Sequence, residues 1–179
     1  VSERQDSIRL DRVAPEIVLA DCTSCRTSNG ALYTNAATQQ ATLAVVAADA
    51  SGRVESLRYT IDGGAPTTVA YPGTATVTLP ADGAHDVALV AIDDAGNESS
   101  ARPLRVTLDR APPTVSIAID GPAAYTRTPN VTLTISATDD GSGVTGMRLA
   151  STSAFSGSVG AFASTAAWTL SSPTIDGEK

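Results

Sequence analysis

From Pro15 to Leu108 the chain alternates apolar and polar positions, interrupted at short intervals by Gly, Pro, Asp and Asn. Within 54–62, Leu57, Tyr59 and Ile61 fall to one side and Arg58 and Thr60 to the other. That is the two-residue repeat of a half-buried strand. The stretch 85–93 differs, because Val87 to Ile92 is nearly all apolar, as a strand central to its sheet demands. Strand cores are expected near 16–20, 41–48, 54–62, 67–70, 74–79, 85–93 and 104–108. Asp62-Gly63-Gly64, Pro72-Gly73, Asp82-Gly83 and Asp94-Ala95-Gly96-Asn97 separate several of them, each rich in residues that suit tight turns. Short strands spaced in this way predict an all-β protein of antiparallel sandwich type.

The pattern repeats. Leu10-Asp11-Arg12-Val13-Ala14-Pro15 is echoed by Leu108-Asp109-Arg110-Ala111-Pro112-Pro113, and an alternating run follows each. Tyr33-Thr34-Asn35 is matched by Tyr125-Thr126-Arg127, and Ala41 to Val45 by Val131 to Ile135. Val54 to Tyr59 is matched by Val144 to Leu149, and Thr76 to Leu79 by Ala167 to Leu170. A period close to one sandwich domain implies tandem immunoglobulin-like antiparallel β-sandwiches. The expected organisation is the last strand of an upstream domain over 1–10, a complete domain over 11–108, and a second domain over 109–179 without its last two strands.

Composition narrows the function classes. Hydrophobic residues form 42% of the chain and aromatics 4%, so the cores rest on Val, Ile, Leu and Ala and leave little for a deep ligand pocket. The net charge of -7 comes with scattered arginines, which argues against a nucleic-acid partner. No apolar run approaches the roughly 20 residues of a membrane span, so no membrane insertion is expected in this segment.

In several places the chain resembles the bacterial immunoglobulin-like repeats found in tandem in large surface and secreted, adhesin-like proteins. The resembling segments are the linker Asp109 to Pro113, Val131-Thr132-Leu133 leading to Ala137-Thr138-Asp139, Gly143-Val144 before Met147-Arg148, and Trp168-Thr169-Leu170. Ile92-Asp93-Asp94-Ala95-Gly96-Asn97 is similar to the turn that closes such repeats. The resemblance implies an extracellular or cell-surface location, with neighbouring repeats of the same chain as partners and a cell-surface protein or glycan as a further one. The stretch Ala20 to Gly30 departs from the repeat and reads as an insertion.

Candidate chemistry is sparse. In an immunoglobulin-like sandwich the incoming linker, the loop after the second strand and the loop before the last strand meet at one end. Asp11, Asp49, Asp93, Asp94 and Asn97 are thereby expected to cluster. Oxygen-rich clusters are what Ca²⁺ takes, although Asp and Asn also cap tight turns through their own backbone. Cys22 and Cys25 are read as a structural disulfide closing a small loop, since a redox pair needs a helix N-terminus to lower a thiolate pKa. His85 is expected at the surface where a strand starts. With no nucleophile motif, no catalytic residue is assigned and an enzyme is not expected. Tyr33 and Tyr125, equivalent in the repeat, are expected to share a packing role, leaving Tyr71, Phe155 and Phe162 as the aromatics for any sugar platform. The function these features predict is a spacer that extends a distal adhesive or catalytic region. The alternatives are an accessory domain of a secreted polysaccharide-active enzyme, or a filament subunit joined by strand exchange through residues 1–10.

Overall fold

The structure, a computed structural model, describes residues 9–28, 30–72, 74–121, 125–151 and 154–170. It is an all-β protein whose chain divides into two compact units, Val1–Arg110 and Ala111–Lys179. The expected strand over residues 1–10 lies almost wholly outside the described residues.

Nine strands appear among the described residues of the first unit. In chain order they are β1 (Glu16–Cys22), β2 (Arg26–Ser28), β3 (Ala31–Thr34), β4 (Gln40–Ala48), β5 (Val54–Ile61), β6 (Thr67–Ala70), β7 (Thr74–Thr78), β8 (Gly83–Asp93) and β9 (Arg102–Leu108). One sheet runs β1-β4-β7 and the other β2-β3-β9-β8-β5-β6. All pairs are antiparallel except β3 with β9. This is an immunoglobulin-like β-sandwich.

Period-two alternation sets what is inside. On β4, Ala41, Leu43, Val45 and Ala47 are buried while the residues between them face outward. They pack with Ala75 and Val77 of β7 and, from the larger sheet, with Leu57, Val87, Leu89, Val106 and Leu108. Each fully buried aliphatic side chain of this kind contributes about 1.5–3 kcal/mol. β8 lies between β9 and β5, which accounts for its long apolar run. Its buried row is His85, Val87, Leu89, Ala91 and Asp93. The row that fills the core therefore begins and ends on an ionisable side chain.

One expectation about this unit is filled in and another is corrected. The stretch Ala20 to Gly30 carries strand structure of its own. β1 continues to Cys22, a disulfide turn follows with Cys22 and Cys25 Cα atoms 5.3 Å apart, and β2 and β3 then carry the chain into the opposite sheet. Cys22 is itself buried in the core and Cys25 packs against it. β3 escapes a local reading because it is four residues long and its parallel partner is β9, about seventy residues on. His85 is buried at 7% exposure rather than lying at the surface, because its position in the β8 alternation turns it inward.

The second unit holds β10 (Thr114–Ile119), β11 (Asn130–Thr138), β12 (Gly146–Met147), β13 (Gly160–Ala161) and β14 (Thr165–Thr169). Its main sheet, β10-β11-β14, has the order of β1-β4-β7, and β12 pairs with β13 alone. Val131, Leu133 and Ile135 of β11 are buried under Met147, Leu149, Phe162, Ala166, Trp168 and Leu170. Among the described residues no strand takes the place of β8 or β9. Tyr125 is 92% exposed whereas Tyr33 is half-buried on β3, so the two tyrosines do not share a packing role.

Candidate functional site

The acidic residues singled out in the sequence meet at one end of the first sandwich. Asp49 follows the last residue of β4, and Asp93 ends β8. Asp11 belongs to the segment that leads into β1. One carboxylate oxygen from each of Asp11, Asp49 and Asp93 lies within 4.8 Å of the others.

Each carboxylate is placed by its own loop. Asp49 Oδ1 accepts hydrogen bonds from the backbone N–H groups of Ser51, at 2.8 Å, and Gly52, an Asx-type turn. Asp93 Oδ1 accepts from the N–H groups of Ala95 at 2.9 Å and Asn97 at 2.8 Å. Gly96 completes that turn with φ +89°, a conformation L residues rarely adopt. Asn97 Nδ2 donates to Asp93 Oδ2 at 2.8 Å and to the backbone carbonyls of Asp11 and Val13 at 3.4 and 3.2 Å. Ser51 Oγ donates to Asp11 Oδ1 at 2.5 Å, and Val13 N–H donates to the same oxygen at 3.0 Å. The lead-in segment 11–13 is thus held to both loops of its own sandwich.

Asp93 is only 1% exposed. Burial pushes its carboxyl upward, but the Asn97 amide and the N–H groups of Asn97, Ala95 and Gly96 outweigh it and hold the group below its ordinary range. Asp94, beside it, accepts from Arg53 N–H through Oδ1 at 3.3 Å. The structure therefore gathers all five acidic-end residues. Ser51 and Gly52 were missed in the sequence, although Asp49-Ala50-Ser51-Gly52 carries the composition of a turn.

The remaining candidates have structural partners. His85 Nδ1 lies 2.7 Å from Asp62 Oδ2 and Nε2 lies 2.8 Å from the Ala81 carbonyl. Two acceptors favour the doubly protonated ring. Burial opposes the charge, but Asp62, the Ala81 carbonyl and the charge of Asp86 raise the His85 pKa above its ordinary 6.5. The His85 hydrogen bond, with the Asp86 N–H, lowers Asp62 in turn. Neither ring nitrogen is left to act as a base. The Tyr71 hydroxyl accepts from Ala47 N–H and donates to Ala47 C=O, both at 3.0 Å. Phe162 packs in the second core, while Phe155 is exposed.

Fold and site together define a modular β-sandwich with an acidic end. No family model matches the sequence, and no curated protein does. Among solved structures, the chain is similar to the fibronectin(III)-like modules of CbhA from Clostridium thermocellum, with 19% identity and a TM-score of 0.41, over 54% of this chain and 47% of that one. It is also similar to chitinase ChiA74 from Bacillus thuringiensis, with 17% identity and a TM-score of 0.45, over 72% of this chain and 18% of the chitinase. The chain spans less than half the length of the first and under a fifth of the second.

Proposed function

We propose that this chain is a non-catalytic, extracellular spacer, built of immunoglobulin-like repeats of a bacterial surface or secreted protein, that extends or presents a distal region. The observation that carries this reading is the tethering of residues 11–13 to the loops after β4 and β8. A connecting segment that is bonded to the module it enters transmits direction, whereas a free one only joins. Pro15 here, and Pro112 and Pro113 in the repeated motif, restrict the backbone further. The Cys22–Cys25 disulfide suits an oxidising compartment.

Small-angle scattering on the 179-residue chain tests the reading. A spacer gives an elongated particle whose maximum dimension is unchanged at low and high protein concentration. A compact particle, or one that lengthens only by self-association, would overturn it.

A further inference from the structure

Two features of the acidic end are unexplained by turn capping. The first is Asp49 Oδ2, which is shut off from solvent and has no hydrogen-bond partner. A sequestered carboxylate oxygen is costly without a compensating donor or cation. Among the described residues no lysine or arginine side chain forms an ion pair with Asp11, Asp49, Asp93 or Asp94.

The second is the space beside Gly52. A Cβ on Gly52 would come within 2.7 Å of Asp11 Oδ2, 2.8 Å of Asp94 Oδ1 and 3.4 Å of Asp49 Oδ1. Gly52 does not have the positive φ that calls for glycine at Gly96, so what its missing side chain provides is room. Carboxylate oxygens from three residues wall that room. Like charges drawn together in a partly shielded place repel one another unless a cation lies between them.

We propose that this end of the first sandwich binds one Ca²⁺, with Asp11, Asp49 and Asp93 as ligands and Asp94 at the rim. The donors on offer are hard oxygens, with no histidine or cysteine in the group, which disfavours zinc and the softer metals. Ca²⁺ accepts irregular oxygen sets, whereas Mg²⁺ demands near-octahedral geometry and keeps most of its water. Asn97 acts here as a positioning residue, holding Asp93 Oδ2 and the backbone of residues 11–13. Because Asp11 lies in the lead-in segment while Asp49 and Asp93 lie on the body, a bound ion joins the two. The site stands on its own geometry and does not depend on the spacer reading.

Titration calorimetry of the chelator-treated 179-residue chain with CaCl₂ should show one site, with a Kd of about 10⁻⁴ M, typical of extracellular modules. Thermal unfolding of the first unit should shift upward with added Ca²⁺. Asp49→Asn supplies a second, separable signature. In chelator it should unfold no earlier than the unchanged protein, since it removes an unpaired charge, and in Ca²⁺ it should gain nothing. Gly52→Ala should fold and lose Ca²⁺ binding. Absence of binding heat and of any shift would overturn the proposal, as would a full Ca²⁺ response in Asp49→Asn or Gly52→Ala. Retained Ca²⁺ binding in a chain that scatters as a compact particle would remove the spacer reading and leave the metal site standing.

Discussion

Ile17 and Val115 occupy the same place in the repeat, two residues beyond the proline that ends each lead-in motif. Each is the first apolar residue of its strand, and each pairs with an alanine, Ile17 with Ala47 and Val115 with Ala137. Yet Ile17 is 8% exposed and Val115 69%. The difference continues along β10, where Ile117 and Ile119 stand beside the buried Ile135 and Leu133 and are themselves exposed. β8 and β9 pack across β1, and no described strand does so for β10. Alternation decides which side of a strand is apolar. Burial of that side depends on a second sheet, and among the described residues the first unit has one over its whole width while β10 has none across it.

The largest contrast between the units is expected when the same leucine is cut from both. Leu43 and Leu133 are repeat-equivalent and 0% and 4% exposed. Leu43→Ala should destabilise the first unit by about 3 kcal/mol, the cost of a cavity in a closed core. Leu133→Ala should cost its unit less, because neighbours beside an open face can close the gap. Denaturant unfolding separates the two, with Trp168, the only tryptophan, reporting the second unit and segment-resolved hydrogen exchange the first. Equal losses would mean that the exposed face of β10 has little effect on the core beside it.

A smaller effect is expected at the pair that defines the contrast. Ile17→Thr should cost the first unit about 2 kcal/mol through lost apolar burial and a shielded hydroxyl. Val115→Thr, nearly isosteric and exposed, should stay within about 0.5 kcal/mol. The same two methods read both changes, and a large loss at Val115 would show that something covers β10 in solution.

The smallest expected effect is a pH dependence belonging to the first unit alone. His85 has a raised pKa in the folded state. Its contribution is therefore complete below the ordinary 6.5 and is lost as pH rises through the folded value. Asp62 is lowered, so its contribution is present above its ordinary 3.8 and is lost as pH falls through the folded value. Urea midpoints of the first unit should thus decline as pH rises beyond 6.5, and His85→Gln should flatten that decline. Midpoints of the second unit, which has no histidine, should not follow it.

Much of this was legible along the chain. Alternation marked β4, β5 and β8, Asp-Gly and Gly-Asn turns marked where strands stop, and the repeated Leu-Asp-Arg motif aligned β1 with β10. The approach of Asp11, Asp49, Asp93, Asp94 and Asn97 followed from topology once a sandwich was inferred. Gly52 was not legible, because a glycine kept for space looks the same in sequence as a glycine kept for a turn. His85 was misjudged because its polarity was weighed above its place in the β8 alternation.

Period, turns and repeat are written along the chain, since these depend on each residue and its near neighbours. Tertiary structure alone decided the rest. It carried the chain across sheets after Cys22, where a strand of four residues finds a partner far along the chain. It also enclosed Asp49 Oδ2 and left Val115 bare, because enclosure is a property of what lies opposite a side chain and not of the side chain's own neighbours in sequence.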